Sequence, residues 1–498
     1  RYNATRVQSP LGVAGECLVA VDACTVRLDV VQPGASGLGL AAPKFQLASG
    51  DGSRVFFTDQ QQLTTDSGAL NQLPDLYECV MVQQPGGLGC VLSDLTPVHG
   101  EEPGDVSGAV IGASEDGSWV YFVADGRLEN NGVPVAGAVA GKANLYVSHD
   151  GVLSLVAVLS GADAPDWGQE GELDELTARV SPDGRWLAFM SRLSLTGYDN
   201  RDVRSGVADE EAFLYNGETQ RLVCVSCQPT GARPVGEMYE KMQLDRGNGE
   251  VWESSAWLAA QLPGWTDFEL DASQHEPRYL SDSGRLFFES RDALVAQDTN
   301  ETWDVYEYEP AGVGSCSVGS VTFGERSGGC VNLVSSGSSG QESELLDASE
   351  SGGDVFFLTS EPLVAADYDS LFDVYDAHEC TGVAPCFPTA VASPSACVTE
   401  SSCKESPAPV PSVYGVPSSA TFSGLGNVVP VPTMVKRVVV LSRAQKLAKA
   451  LKVCRRDRVK GRRVVCERTA RKRYGVVKRK AVKRSVVSKG SVVLGRGR

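Results

Sequence analysis

A short pattern of apolar and polar positions recurs five times and organises the chain. Its clearest copy runs from Val180 to Met190, where a Ser-Pro-Asp-Gly turn leads into the apolar and aromatic run Arg185–Met190. Asp-Gly pairs favour hairpin turns because glycine accepts the positive φ that such turns need. The pattern therefore predicts one β-hairpin in each copy. The serines that open the five copies are Ser49, Ser114, Ser181, Ser281 and Ser349.

The spacing of the copies predicts the fold. Successive serines are 65, 67, 100 and 68 residues apart. Two further strand-like runs follow each of the first four hairpins, and one follows the fifth; after the third they are Ala212–Tyr215 and Arg221–Val225. A four-stranded unit that repeats at a nearly fixed period is typical of a β-propeller blade. We therefore predict an all-β propeller of four-stranded antiparallel blades, most simply six, with a partial first blade and a basic, partly helical C-terminal tail.

The same pattern divides the chain into segments. The long step of 100 residues implies an insert, and the Pro- and Ser-rich stretch after the last repeat reads as a linker. Strand-like runs over 16–20 and 24–30 resemble the outer hairpin of a unit whose inner strands are absent. The chain starts at Arg1 without Met and has no charged-then-apolar leader, which favours a fragment or a processed chain. The predicted segments are a partial blade over 1–43, blades over 44–386 with an insert at 230–276, a linker with a closing strand over 387–435, and a basic tail over 436–498.

Charge separates the tail from the body. The net charge is −18, but residues 436–498 hold 24 Lys and Arg against 2 acidic residues, and the remainder holds 21 against 61. A tail of this charge binds polyanions through counterion release. It shows no base-reading motif, so we expect no specific nucleic acid recognition. The polyanion could be an envelope polymer, an acidic lipid headgroup or the acidic body itself.

The cysteines indicate the compartment. All 14 fall into pairs of sequence neighbours, which favours disulfides formed in an extracellular or cell-envelope location. Zinc usually needs a second CxxC pair, and a redox role for the single CxxC lacks the strand-to-helix context of such sites. No apolar run is long enough for a transmembrane helix. The predicted pairs are Cys17/Cys24, Cys79/Cys90, Cys224/Cys227, Cys316/Cys330, Cys380/Cys386, Cys397/Cys403 and Cys454/Cys466.

Catalytic motifs are absent, so the sequence favours binding over catalysis. There is no G-x-S-x-G, H-E-x-x-H, P-loop or dinucleotide fingerprint. The alternative is a polysaccharide-acting hydrolase or lyase that uses loop carboxylates. The same loops could ligate Ca²⁺, although we favour Asx turns that organise each loop, and no other cofactor is expected. The three Trp of the insert either pack onto the blades or face a ligand. The residues concerned are Asp199, Asp298 and Asp367 for catalysis, Asp298, Asn300, Asp367 and Asp369 for Ca²⁺, and Trp252, Trp257 and Trp265 for a ligand.

The repeat also resembles a known family. Ser181–Phe189 and Asp304-Val305-Tyr306 resemble the repeat of TolB-like, WD-repeat-like β-propellers. With the Cys pairs and the basic tail, the chain is similar to uncharacterised exported bacterial proteins. The resemblance implies a scaffold that meets a protein or an envelope polymer on its propeller faces. It carries no catalytic residue over to this chain.

Overall fold

The computed structural model places most of the repeat region and a short part of the tail. The chain forms two compact units, 1–393 and 394–498. None of the helices among the described residues is long and apolar enough to cross a membrane. The structure describes residues 7–10, 12, 17–19, 22–84, 87–98, 103–168, 176–238, 257–268, 273–380, 386, 451–452, 454–455 and 460–474.

Five antiparallel sheets follow one another along the first unit. In each of the first three, four strands pair as a meander from the inner to the outer edge. The first sheet contains β1 (Lys44–Ala48), β2 (Arg54–Asp59), β3 (Asp75–Gln84) and β4 (Gly87–Asp94). The second contains β5 (Val106–Ala113), β6 (Trp119–Ala124), β9 (Asn144–His149) and β10 (Val152–Val158), with the small pair β7 (Glu129–Asn130) and β8 (Val133–Pro134) beside it. The third contains β11 (Arg179–Val180), β12 (Trp186–Ser191), β13 (Glu211–Asn216) and β14 (Arg221–Cys224), after a 3₁₀ helix at Gly161–Trp167.

The fourth and fifth sheets depart from this plan. The insert contributes β17 (Ala260–Gln261), which pairs with β20 (Leu286–Ser290) as the innermost strand of the fourth sheet, so part of the predicted insert belongs to a blade. The fifth sheet has three strands among the described residues. The remaining strands are β15 (Glu237–Met238), β16 (Trp257–Leu258), β17 (Ala260–Gln261), β18 (Thr266–Phe268), β19 (Ser273–His275), β20 (Leu286–Ser290), β21 (Asp304–Pro310), β22 (Phe323–Gly324), β23 (Gly329–Leu333), β24 (Ser343–Ala348), β25 (Asp354–Thr359) and β26 (Asp373–His378).

The sheets pack side by side as the blades of a propeller. Inner strand β5 contacts both β1 and β11, and β24 contacts β20. The core lies between neighbouring sheets: Tyr121 of β6 and Phe189 of β12 share one buried cluster, and Met190 of β12 and Phe288 of β20 share another. Burying apolar surface between adjacent blades drives this stacking. The predicted all-β propeller of antiparallel blades is confirmed.

The recurring serine turns form as predicted. In the third blade, Ser181 Oγ accepts the N–H of Trp186 at 3.1 Å and donates to Asp183 Oδ1 at 2.7 Å. Gly184 has φ 78°, which the Asp-Gly turn requires. A side-chain hydroxyl that bonds the backbone across the turn fixes the hairpin register.

Backbone hydrogen bonds join the first serine turn to the second and the second to the third. The N–H of Gly50 donates to the carbonyl of Glu115 at 2.6 Å, and the N–H of Glu115 donates to the carbonyl of Pro182 at 2.8 Å. Pro182 has no N–H, so it cannot extend this series of backbone hydrogen bonds to the next turn. The Asp183 N–H donates instead to the Asp282 carboxylate at 2.8 Å.

The start of the chain differs from the prediction. The strand expected over 24–30 is not observed, and the described residues over 24–43 contain no strand. The residues that follow bond to a loop of the first blade: the N–H of Gln32 donates to the carbonyl of Leu63, and the N–H of Gln62 donates to the carbonyl of Leu38, both at 2.8 Å. The segment is thus tied to a loop of the first blade. Five blades are visible among the described residues, against the six predicted.

Six of the seven predicted cysteine pairs are disulfides in the structure. Cys397 and Cys403, with the whole predicted linker 387–435, lie outside the described residues. In the second unit, helix α1 (Lys460–Tyr474) carries one cysteine of the pair in the basic tail. The observed disulfides are Cys17–Cys24, Cys79–Cys90, Cys224–Cys227, Cys316–Cys330, Cys380–Cys386 and Cys454–Cys466.

Candidate functional site

Blade topology places the acidic loops on one side of the propeller. The serine turns lie at one end of each sheet, so the loops between its second and third strands lie at the other end, which we call the loop face. The connections from each blade to the next start on the same face. On the third and fourth blades the loop face consists of the 3₁₀ helix, the loops 192–210 and 291–303, and the segment 228–236.

A tyrosine on the third strand holds each loop of the fourth and fifth blades. The Tyr306 hydroxyl contacts the Asp298 carboxylate and accepts the N–H of Leu294 at 3.3 Å. The Tyr375 hydroxyl donates to Asp367 in the same way. Burial raises the pKa of Asp298. Two of the three carboxylates considered for polysaccharide chemistry therefore serve as hydrogen-bond acceptors within their own loops.

The third of these carboxylates, Asp199, is exposed and paired with arginines. Its carboxylate contacts Arg201 at 2.7 Å and Arg233 at 3.6 Å. The hydrogen bond from Arg201 lowers the pKa of Asp199 to about 2. The residue is therefore ionised at neutral pH and held by its partners.

The residues considered for Ca²⁺ are arranged differently in the two blades. In the fourth, the Asn300 amide donates to Asp304 at 2.7 Å. In the fifth, carboxylate oxygens of Asp367, Asp369 and Asp373 lie within 4.8 Å of one another. Oxygen ligands of this kind suit Ca²⁺. Sequence reasoning missed Asp373 here, although its spacing from the other two was visible.

A more deeply buried carboxylate group lies between the third and fourth blades. Asp202, Asp209 and Asp292 are each at most 4% exposed. The N–H of Gly236 donates to Asp209 at 3.1 Å, and the N–H of Val235 donates to Asp292 at 2.8 Å. One oxygen of each carboxylate is buried without a hydrogen-bond partner among the described residues. We call these three residues the inter-blade carboxylates.

Burial dominates the electrostatics of this group. It raises the pKa of Asp209 to about 7 and that of Asp292 to about 6, and the nearby Asp202 charge adds to both effects. A buried carboxylate without a counter-charge or a donor is costly. The group therefore favours protons, cations or hydrogen-bond donors.

A second acidic group shares one arginine. Arg192 contacts Glu210 at 3.0 Å and Asp163 at 3.4 Å. Asp166 accepts the Thr177 hydroxyl at 2.5 Å. Burial raises the pKa of Glu210 to about 8. A single guanidinium thus faces several buried carboxyl groups. The acidic side chains of this group therefore outnumber the basic side chain that contacts them.

The tryptophans of the insert have separate environments. The Trp265 ring lies 5.7 Å from the Arg179 guanidinium, which also lies over Tyr279. Trp257 belongs to β16 and is half-buried. Trp252 lies outside the described residues. The contact of Trp265 with Arg179 fits packing onto the blades, and a ligand-facing role for the three stays a prediction.

A cleft opens beside the 3₁₀ helix. Its volume is about 610 Å³, within the range of ligand pockets, and it mixes apolar and polar walls. The helix that bounds it also carries Asp163 and Asp166. Its lining includes Ser107, Asp125, Lys142, Ser160, Trp167 and Leu193.

Comparison with known proteins yields distant likenesses. No protein-family model matches the chain, and no curated protein matches it. Two solved structures are similar: an oligogalacturonate lyase in complex with manganese, at 11% identity over 67% of this chain, with a TM-score of 0.26, and the β-propeller domain of the Trilobed protease from Pyrococcus furiosus, at 8% identity over 69% of this chain and 81% of that one, with a TM-score of 0.20. This chain spans 61% of the lyase. At these similarities no activity transfers.

Proposed function

We propose that the chain is an exported, non-catalytic propeller scaffold of the TolB-like kind. Its loop face between the third and fourth blades binds a protein or an envelope polymer, and its basic segment 436–498 binds a polyanion. The observation that carries the proposal is that each inter-blade carboxylate has one buried oxygen with no hydrogen-bond partner in the part of the chain that the structure describes. The six disulfides fit an oxidising compartment.

The ligand of the loop face is expected to be rich in hydrogen-bond donors. Unpaired carboxylate oxygens gain most from N–H and O–H donors, and charged donors contribute about 1.5–3 kcal/mol each. An ammonium-bearing or hydroxyl-rich segment meets that requirement. The tail would contribute a separate, electrostatic mode of binding.

The alternative, a polysaccharide-acting hydrolase or lyase, requires a pair of accessible carboxyl groups. Asp298 and Asp367 are engaged by Tyr306 and Tyr375, and Asp199 by Arg201 and Arg233. This arrangement supports binding rather than catalysis at those three residues.

The proposal is tested by retention of the protein on bacterial envelope material across a salt series. The full chain is compared with a chain that ends at residue 435, and with the double variant Asp209→Asn/Asp292→Asn. We expect tail removal to abolish the salt-sensitive retention and the double variant to abolish the salt-insensitive part. Asp199→Asn, on the same face, serves as the control and should change neither.

Two outcomes would contradict the proposal. Salt-insensitive retention unaffected by the double variant would remove the loop face as the binding surface. Release of oligosaccharide from the envelope material by the full chain would replace the scaffold by the polysaccharide-acting alternative.

A further inference from the structure

The CxxC pair of the third blade lies against a buried glutamate. Cys224 ends β14, and its disulfide with Cys227 closes a short turn on the loop face. Glu211 begins the neighbouring strand β13. A carboxyl oxygen of Glu211 and the two sulfur atoms all lie within 4.8 Å of one another. The structure thus joins a disulfide and a carboxyl group that are 13 residues apart in sequence.

The blade does not need this disulfide to close its strand end. In the third blade, the N–H of Ala212 donates to Ser226 Oγ at 2.8 Å, just beyond β14. In the first blade Leu76 donates to Thr96 at 3.0 Å, and in the fourth Val305 donates to Ser335 at 3.0 Å. Those two strand ends keep the same hydrogen bond without a disulfide.

The length of chain that the disulfide closes also argues against a mainly structural role. Stabilisation by a disulfide grows with the length of the chain that it closes. The sequence separation is 3 for Cys224–Cys227 and 14 for Cys316–Cys330. The short pair therefore contributes the smaller loop-closure effect, and a structural role explains it poorly.

Glu211 is placed to carry a proton. The Ser226 hydroxyl donates to Glu211 Oε2 at 2.6 Å. Its other oxygen, Oε1, is buried and has no hydrogen-bond partner among the described residues. Burial raises the pKa of Glu211 well above its ordinary value, and the carboxylates of Asp292 and Asp209 add to the rise. Burial of both the carboxyl group and its unpaired oxygen therefore favours the protonated form of Glu211.

The two sulfur atoms are unequal. Cys227 is half-buried and can meet a reagent from solvent, whereas Cys224 is 6% exposed. The N–H of Cys227 donates to Cys224 Sγ at 3.1 Å. A negative charge that develops on Cys224 sulfur is therefore stabilised locally.

We propose that Cys224–Cys227 is a redox-active disulfide that exchanges with an external dithiol, with Glu211 as the proton donor to Cys224. A thiolate of the dithiol attacks Cys227 Sγ, the S–S bond breaks, and its electron pair passes to Cys224 Sγ, which takes the Glu211 proton. The second thiol of the reagent then displaces Cys227 as a thiolate, which is protonated from water. Solvent also returns a proton to Glu211. Two electrons pass to the protein and the dithiol leaves as a disulfide.

The groups that face Glu211 define its pH dependence. Ser226, Cys224 and Cys227 surround the carboxyl group. The titratable groups within electrostatic range are Asp209, Asp292 and Tyr198. Because the protonated acid is the active form, the rate constant per reagent thiolate should fall as pH rises through the Glu211 pKa. Disulfides without an acid should show a flat profile.

The test is the rate of reduction of each disulfide in the folded full chain by dithiothreitol. Alkylation and peptide mass spectrometry resolve the pairs, with a chelator present and near-ultraviolet circular dichroism confirming the fold. We expect Cys224–Cys227 to be reduced at least tenfold faster than Cys316–Cys330. Glu211→Gln should slow the Cys224–Cys227 reduction at least tenfold at pH 7 and flatten its pH profile.

Glu289→Gln is the matched control, because Glu289 of the fourth blade is also a buried carboxyl group but accepts the N–H of Leu345 of the fifth blade. It should leave the Cys224–Cys227 rate unchanged. Should Glu211→Gln fail to fold, the wild-type pH profile decides. A Cys224–Cys227 pair reduced no faster than Cys316–Cys330, or one with a flat profile per thiolate, overturns the proposal.

Discussion

The fourth and fifth blades carry the same loop pattern in two different environments. In both, a tyrosine hydroxyl contacts a loop aspartate and accepts the N–H of a leucine. Tyr306 is fully buried, whereas Tyr375 is half-buried, and the strand residue before each, Val305 or Val374, is 0% or 64% exposed. The hydrogen bonds form between residues that are close in sequence, whereas the burial of each tyrosine depends on residues from elsewhere in the chain.

The strands beside each tyrosine account for the difference in burial. In the fourth sheet, β21 carries Tyr306 and has β23 and then β22 on its outer side, with β17 of the insert at the inner edge. In the fifth sheet, β26 carries Tyr375 and is itself the outermost described strand. The comparison shows that a short motif determines which atoms bond, and that packing determines how much free energy those bonds contribute.

The strongest test of this comparison is the pH dependence of the fourth blade. Burial raises the folded-state pKa of Asp292 to about 6, above the unfolded value of about 4. Its stabilising contribution is therefore complete below about pH 4 and lost as pH rises to about 6. Asp292→Asn should raise the free energy of unfolding at pH 7.5 by about 2–3 kcal/mol and change it little at pH 4.

Urea unfolding at the two pH values measures this effect. The matched change in the fifth blade is Glu361→Gln, at the equivalent loop position, where the side chain is half-exposed. It should change the free energy of unfolding by less than about 1 kcal/mol at either pH. An equal gain at both pH values for Asp292→Asn would show that charge burial is not its cause.

Removing the tyrosine hydroxyls gives the next largest difference. Tyr306→Phe leaves buried Asp298 and the Leu294 N–H without their partner and should cost about 2 kcal/mol. Tyr375→Phe exposes the same groups to water and should cost less than about 1 kcal/mol. Chemical unfolding of both variants at pH 7 measures the pair, and equal costs would refute the role of burial.

Exchanging Asn and Asp at the third position of the loop, residue 300 or 369, should give the smallest change in stability. Asn300→Asp loses the amide that donates to Asp304 and should cost about 1–2 kcal/mol. Asp369→Asn supplies an amide beside Asp373 and should stabilise by a few tenths of a kcal/mol. Thermal unfolding with a chelator present compares the two, and a loss of stability in Asp369→Asn would break the analogy between the loops.

The local features of the fold were predictable from sequence. The Asp183-Gly184 turn depends on one hydroxyl and one glycine within six residues, and the six disulfides join cysteines at most 14 residues apart. The repetition of this hairpin pattern at a nearly constant spacing then predicted the propeller blades. Each of these signals is contained in a short stretch of chain.

The inter-blade carboxylates were not predictable in this way. Asp209 and Asp292 are 83 residues apart in sequence and come together through Val235 and Gly236 of a third segment. In a loop sequence, an aspartate looks like a solvated turn residue. The strand expected over 24–30 is likewise absent, and the residues that follow it bond to a loop of the first blade that is distant in sequence.

The links between the serine turns bear on how such a chain could lengthen by gene duplication. The second turn offers the Glu115 carbonyl to the first turn and the Glu115 N–H to the third, so a copy of its blade would arrive with both connectors. Pro182 breaks that symmetry, and the Asp282 side chain restores the link. A copy of the third blade would therefore fit only in front of a repeat that brings such a side chain, which limits where in the gene a new blade can enter.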